Sequence, residues 1–101
     1  GFVIEQTLAT LLAAGKGAQP FFFRTADGYE LDLVLDWGTH RWAVEIKLTS
    51  DPSTDMIDRL HRTADMIDAD KRILICRIAR KIENQRLLVT NLSGWLRRIA
   101  E

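Results

Sequence analysis

Two short runs of the chain, Glu30-Leu31-Asp32-Leu33-Val34-Leu35 and Trp42-Ala43-Val44-Glu45-Ile46-Lys47-Leu48, alternate apolar and polar positions with period two. That periodicity predicts a pair of strands. Alternation puts Leu31, Leu33 and Leu35 on one face of the first strand and Glu30, Asp32 and Asp36 on the other. In the second, Val44, Ile46 and Leu48 share a face, and Glu45 and Lys47 share the opposite one. Gly38-Thr39 between the runs suits the centre of a tight II′ turn, with glycine first. Counting outward from that turn pairs Trp37 with His40, Leu33 with Val44 and Leu31 with Ile46. Asp32 then lies directly across from Glu45.

Helical spacing of Ile4, Leu8, Leu11 and Leu12 predicts a helix from Phe2 to about Ala14, ended by Gly15. Phe21 to Arg24 reads as a short strand, so the first three strands form an antiparallel meander. Asp51-Pro52 reads as the cap and first position of a second helix, which Met56, Ile57, Leu60, Ala64 and Ile67 continue through Asp68. Arg72 to Ile78 and Leu87 to Thr90 are apolar strands, and Asn91 is positioned to cap a last short helix through Trp95 and Ile99. A helix between the third and fourth strands is a crossover, which makes that strand pair parallel. The expected class is α/β: a core of α, three β, α and β with a mixed sheet, followed by an extra C-terminal strand and a short helix.

At 101 residues the chain has the size of one domain with one modest core. No apolar run approaches the roughly 18 residues of a membrane span, and no signal-peptide pattern is present. Cys76 is the only cysteine, which excludes a disulfide framework and points to a reducing cytoplasm. Formal charge sums to zero, but its distribution is uneven. From Lys71 to Arg98 the bases Lys71, Arg72, Arg77, Arg80, Lys81, Arg86, Arg97 and Arg98 face the single acid Glu83. The acids collect from Glu30 to Asp36 and from Asp51 to Asp70. A basic flank beside an acidic strand pair reconciles phosphate attraction with cation binding, so Arg77, Arg80, Lys81 and Arg86 are candidate nucleic-acid contacts. A solvated basic surface is the plainer alternative.

Like charges directly opposite on neighbouring strands cost about 0.2–1 kcal/mol, so Asp32 facing Glu45 needs compensation. A divalent cation provides it, since Mg²⁺ or Mn²⁺ takes hard oxygen ligands, commonly one or two carboxylates with waters and phosphate oxygens. Lys47, on the same face as Glu45, can hold a nucleophilic water or offset transition-state charge. Glu30 is expected to pair with Lys47 across the hairpin, and Asp36 to serve the turn. His40 and His61 read as solvated surface. Trp37, Trp42 and Trp95 read as packing residues, and Arg59 and Arg62 as partners of Asp58 and Asp65 on their own helix.

An opening helix with Glu5, a hairpin bearing Asp32 and then Glu45-Ile46-Lys47, and a crossover helix into a fourth strand resemble the core of the PD-(D/E)xK nuclease superfamily, the restriction-endonuclease-like fold. Gly1 to Glu5, Phe22 to Asp32 and Ala43 to Lys47 look, more narrowly, like the nuclease-like C-terminal domain of archaeal-type AAA+ ATPases of bacteria and archaea, a domain usually labelled as of unknown function. The resemblance covers almost the whole chain, although Leu31 replaces the proline that names the superfamily. It implies that Asp32 and Glu45 ligate Mg²⁺ or Mn²⁺, with the Ile46 carbonyl as a third ligand and Glu5 as a ligand directly or through water. Lys47 would be the catalytic lysine. DNA is the implied partner, and an ATPase module is implied upstream in a longer protein. Three functions compete on these grounds: a metal-dependent DNA nuclease, a catalytically silent nuclease-fold module that binds DNA or a protein partner, and a purely structural domain.

Overall fold

Helix α1 (Phe2–Ala13) is followed by strands β1 (Gln19–Arg24), β2 (Glu30–Asp36) and β3 (Arg41–Ile46), then by helix α2 (Thr54–Met66). Strands β4 (Lys71–Ile75), β5 (Ile82–Glu83) and β6 (Leu87–Thr90) and helix α3 (Leu92–Ala100) complete the chain. This computed structural model describes residues 1–101. The strands form one mixed sheet in the order β1-β2-β3-β4-β6-β5. β1, β2 and β3 are the expected antiparallel meander, and the α2 crossover makes β3 and β4 parallel. β6 continues the parallel set and β5 folds back antiparallel against it.

Each face of the sheet is covered by helix. Leu60 and Ala64 of α2 pack with Leu31, Val34, Ala43, Leu74 and Val89. On the other side, Leu11 of α1 and Trp95 and Ile99 of α3 pack with Leu33, Leu35, Val44, Ile73 and Leu88. Trp95 is wholly buried, and its indole Nε1 donates to Thr7 Oγ1 at 2.9 Å, which ties α3 to α1.

The hairpin turn follows the sequence expectation. Gly38 has φ +85°, as the first central position of a II′ turn requires, and the Trp37 N–H donates to the His40 carbonyl at 3.0 Å. Register runs from Asp36↔Arg41 to Leu33↔Val44, as counted. Pairing with β3 ends there, and the irregularity lies in the pairing of β2 with β1. Phe21 faces Val34 but Phe23 faces Leu31, so β2 carries one extra residue opposite Phe22. This bulge breaks the alternation. Leu31 therefore packs on the α2 side with Val34, whereas strict period two puts it with Leu33 and Leu35.

Three other expectations are revised. Helix α2 starts at Thr54, capped by Ser53, whose Oγ accepts the Met56 N–H at 3.1 Å; the cap is not Asp51. β4 ends at Ile75 and does not continue to Ile78. The polar stretch after it holds the short β5. Asn91 caps α3 as expected, accepting the Gly94 N–H at 2.8 Å.

Candidate active site at the β2 bulge

Residues of antiparallel strands exchange hydrogen bonds in alternate pairs, so the pattern set at Trp37 and His40 assigns the Ile46 N–H to the Leu31 carbonyl. The bulge displaces Leu31, and the Asp32 carboxylate takes over: its Oδ2 accepts the Ile46 N–H at 2.8 Å. A ladder defect thus turns Asp32 toward β3. N–H and C=O of one strand residue point to the same edge, so the Ile46 carbonyl opens on the Asp32 side.

The carboxyl of Glu45 meets that of Asp32 in hydrogen-bonding contact. Its pKa is pushed up from 4.5 to about 8, first by burial and then by the Asp32 carboxyl, and Lys47 only partly opposes the shift. At neutral pH without a cation, Glu45 therefore holds a proton. Glu45 and Lys47 line a cleft of about 430 Å³ against Asp55, Met56 and Arg59 of α2. Lys47 is exposed, and its backbone N–H donates to Ile75 of β4 at 2.9 Å.

This shift has a thermodynamic consequence. Between about pH 4.5 and 8 the native state binds a proton at Glu45 that the unfolded chain has released, so stability falls as pH rises through that window. Urea denaturation at about pH 5 and about pH 9 without divalent cation is expected to show this loss. Glu45→Gln should flatten it. An equal slope in the variant would refute the assignment.

The β1–β2 turn that leads into the site is held by α2. Arg59 donates to the Gly28 carbonyl at 3.0 Å and places its guanidinium 4.3 Å from the Tyr29 ring centre, and Arg62 donates to the Tyr29 hydroxyl at 3.2 Å. These arginines hold another element, not the acids of their own helix. Glu30 pairs with Arg24 on β1 at 3.3 Å, not with Lys47. Paired register between β2 and β3 ends at Leu33↔Val44, before Glu30 and Lys47.

Glu5 stands exposed on α1, and it is its neighbour Ile4 that lines the hollow beside Asp32. No group of three or more His, Cys, Asp or Glu side chains converges anywhere in the fold. The oxygen donors brought together are Asp32, Glu45 and the Ile46 carbonyl.

The basic C-terminal segment is divided. Lys71, Lys81 and Arg98 all converge on Glu83, at 2.8 Å for Lys71 and 3.3 Å for Lys81, and hold that carboxyl far below its usual range. Arg72, expected on the basic flank, is buried: its guanidinium donates to Asp65 and to the Ala69 carbonyl, both at 2.9 Å, and lies 3.0 Å from His61 Nδ1. His61 is thus half-buried, and its pKa is lowered first by burial and then by Arg72. Arg86 lies 3.6 Å from Asp65 at the start of β6, at the opposite end of the parallel strands from Glu45. Arg77 and Arg80 are exposed without an ion-pair partner beyond the end of β4, on the same end of the sheet as Lys47. The Arg77 N–H donates to the Thr49 carbonyl at 2.7 Å. His40 stacks on Trp37, with ring centres 4.6 Å apart, at the far tip of the hairpin.

The chain belongs to the family described as a domain of unknown function (DUF4143), which it matches over residues 1–95. No curated protein and no solved structure matches it. No helix is long and apolar enough to cross a membrane.

Proposed function

We propose that Asp32, Glu45 and Lys47 form the active site of a metal-dependent nuclease that hydrolyses phosphodiester bonds, DNA first among its substrates, on a restriction-endonuclease-like core. One observation carries this reading: two carboxyls are driven into contact in a half-buried cleft, at a cost visible in Glu45, with an unpaired lysine beside them. A fold gains nothing from that arrangement unless something binds there.

The donor set fits Mg²⁺ or Mn²⁺, because Asp32, Glu45 and the Ile46 carbonyl are hard oxygens and such ions complete their shells with water and phosphate oxygens. When bound, the cation supplies an acidified water and polarises the phosphoryl oxygen it touches. Asp32, anchored through one oxygen by the Ile46 N–H, presents the other. Glu45 releases its proton on engagement. Lys47 orients the attacking water and meets charge building on the phosphoryl oxygens. The water oxygen gives up a proton to solvent as it forms the new P–O bond, the opposite ester P–O bond breaks, and the leaving oxygen takes a proton from solvent. Arg77 and Arg80 extend the contact to neighbouring phosphates. An ATPase module upstream in a longer protein belongs to the same proposal.

Calorimetric titration with Mn²⁺ tests the site without needing a substrate. Wild type is expected to bind one ion per chain, with affinity rising toward about pH 8 as the Glu45 proton is displaced. Asp32→Asn should weaken binding at least about tenfold. Absence of binding by wild type at that pH would leave the silent DNA- or protein-binding module as the better reading.

A further inference from the structure

The carboxylate pair stands on a saddle between two depressions. Asp32 faces a hollow of about 450 Å³ lined by Ile4, Phe22, Phe23 and Arg24, while Glu45 and Lys47 open into the 430 Å³ cleft. Glu30, neutralised by Arg24, borders both. Phe22, at the rim of the Asp32 hollow, is 82% exposed. It lies on β1, the free edge of the sheet, directly opposite the bulge that turns Asp32 inward.

We infer that the substrate is single-stranded nucleic acid that crosses this saddle, with the base next to the scissile phosphate stacked on Phe22. This rests on the phosphodiesterase reading of the carboxylates and names its substrate class. A hollow of that volume has the size of a site for one small ligand, and so holds a nucleotide but not a double helix. Bases in a duplex are already stacked, whereas unpaired bases offer their faces to aromatic side chains, an interaction indifferent to sequence. In the cleft Lys47, which has no ion-pair partner, and Arg59 stand beside Asp55 and can meet the phosphates of a strand, while Arg24 by the hollow offsets Glu30. A polypeptide laid on β1 would cover Phe22 but would use neither the cations nor the carboxylate pair.

The test is fluorescence anisotropy of labelled oligothymidylate and of a duplex of equal length, with Ca²⁺ replacing Mg²⁺ to hold back cleavage. Wild type should bind the single strand more tightly than the duplex. Phe22→Ala should weaken single-strand binding by about tenfold or more, and Phe22→Trp should restore it. Phe21→Ala removes an exposed neighbouring ring that does not line the Asp32 hollow, and it should weaken single-strand binding far less than Phe22→Ala. Tighter duplex binding, no binding to either, or indifference to Phe22→Ala would overturn the inference. So would a wild type that sediments as a dimer where Phe22→Ala is monomeric, because a second copy would then cover the ring. The two readings fail separately: Phe22-dependent strand binding without Mn²⁺-dependent cleavage removes the catalytic reading alone, and cleavage that prefers duplex and ignores Phe22 removes this one alone.

Discussion

Lys47→Ala is expected to lower Mn²⁺-dependent cleavage of DNA by about 10²–10⁴-fold, the usual range for loss of a proton-handling or charge-stabilising group in the transition state. The loss should come without loss of fold. Lys47 is exposed, its ammonium makes no hydrogen bond, and its contact with β4 is made by the backbone, which alanine keeps. The ammonium only opposes the raised pKa of Glu45 and is not an oxygen donor, so Mn²⁺ affinity should be preserved or slightly increased in the variant. Cleavage lost with metal binding kept separates a catalytic lysine from one that merely balances charge. Single-turnover cleavage paired with calorimetry reads both quantities, and wild-type cleavage by the variant would show Lys47 to be a solvated surface residue. Lys47→Arg is no conservative control, because a planar guanidinium cannot reproduce the point charge and rotating donors of an ammonium.

Trp95→Ala is expected to destabilise the domain by about 3–5 kcal/mol, the range for removal of a fully buried tryptophan. Against a total of about 5–15 kcal/mol for a domain of ordinary stability, that removes from about a fifth to all of the folding free energy. Trp95 is 0% exposed, lies 6.0 Å from Trp42 between ring centres, and joins α3 to α1 through Thr7. Trp95→Phe keeps most of the apolar volume and loses the indole donor. Thr7 keeps its own hydrogen bond to the Val3 carbonyl at 2.7 Å, so this variant should cost only about 1–3 kcal/mol. Urea midpoints and slopes for the two variants give the comparison, and equal losses would mean that packing of the larger ring contributes little.

Features governed by local chemistry were legible in the sequence. The glycine-first turn, the Leu33↔Val44 register, the Leu87–Thr90 strand and the Asn91 cap each follow from a few adjacent residues and recur in the structure. Asp32, Glu45 and Lys47 stand out in the sequence as polar residues on strands that otherwise face a core, and in the structure the Asp32 carboxyl meets Glu45 while Glu45 and Lys47 share a cleft. What stayed hidden depends on partners distant in the chain. The bulge arises from β1 pairing with β2, and no residue of Leu31-Asp32-Leu33-Val34 signals it. Two capping candidates, Asp51 and Ser53, lie within one turn of each other, and only packing of Ile57, Leu60 and Ala64 on the sheet chooses between them. The basic run read as a uniform flank because Glu83 and Asp65, which collect most of it, act through contacts that composition does not reveal. Phe22 carried one usable signal: in a run of three phenylalanines on one strand, neighbouring rings must point to opposite sides of the sheet.

Under the proposed function, the extra residue in β2 sets stability against activity. The two residues of β2 opposite Phe22 are Asp32 and Leu33, so shortening the strand by one to make its pairing with β1 regular would remove or re-aim the carboxylate that now accepts the Ile46 N–H. On that proposal, a laboratory selection for thermal tolerance alone would be free to discard the bulge and with it the place for an ion. Homologous chains without the bulge should then also lack the Asp32–Glu45 pair, because the bulge is what brings Asp32 against β3.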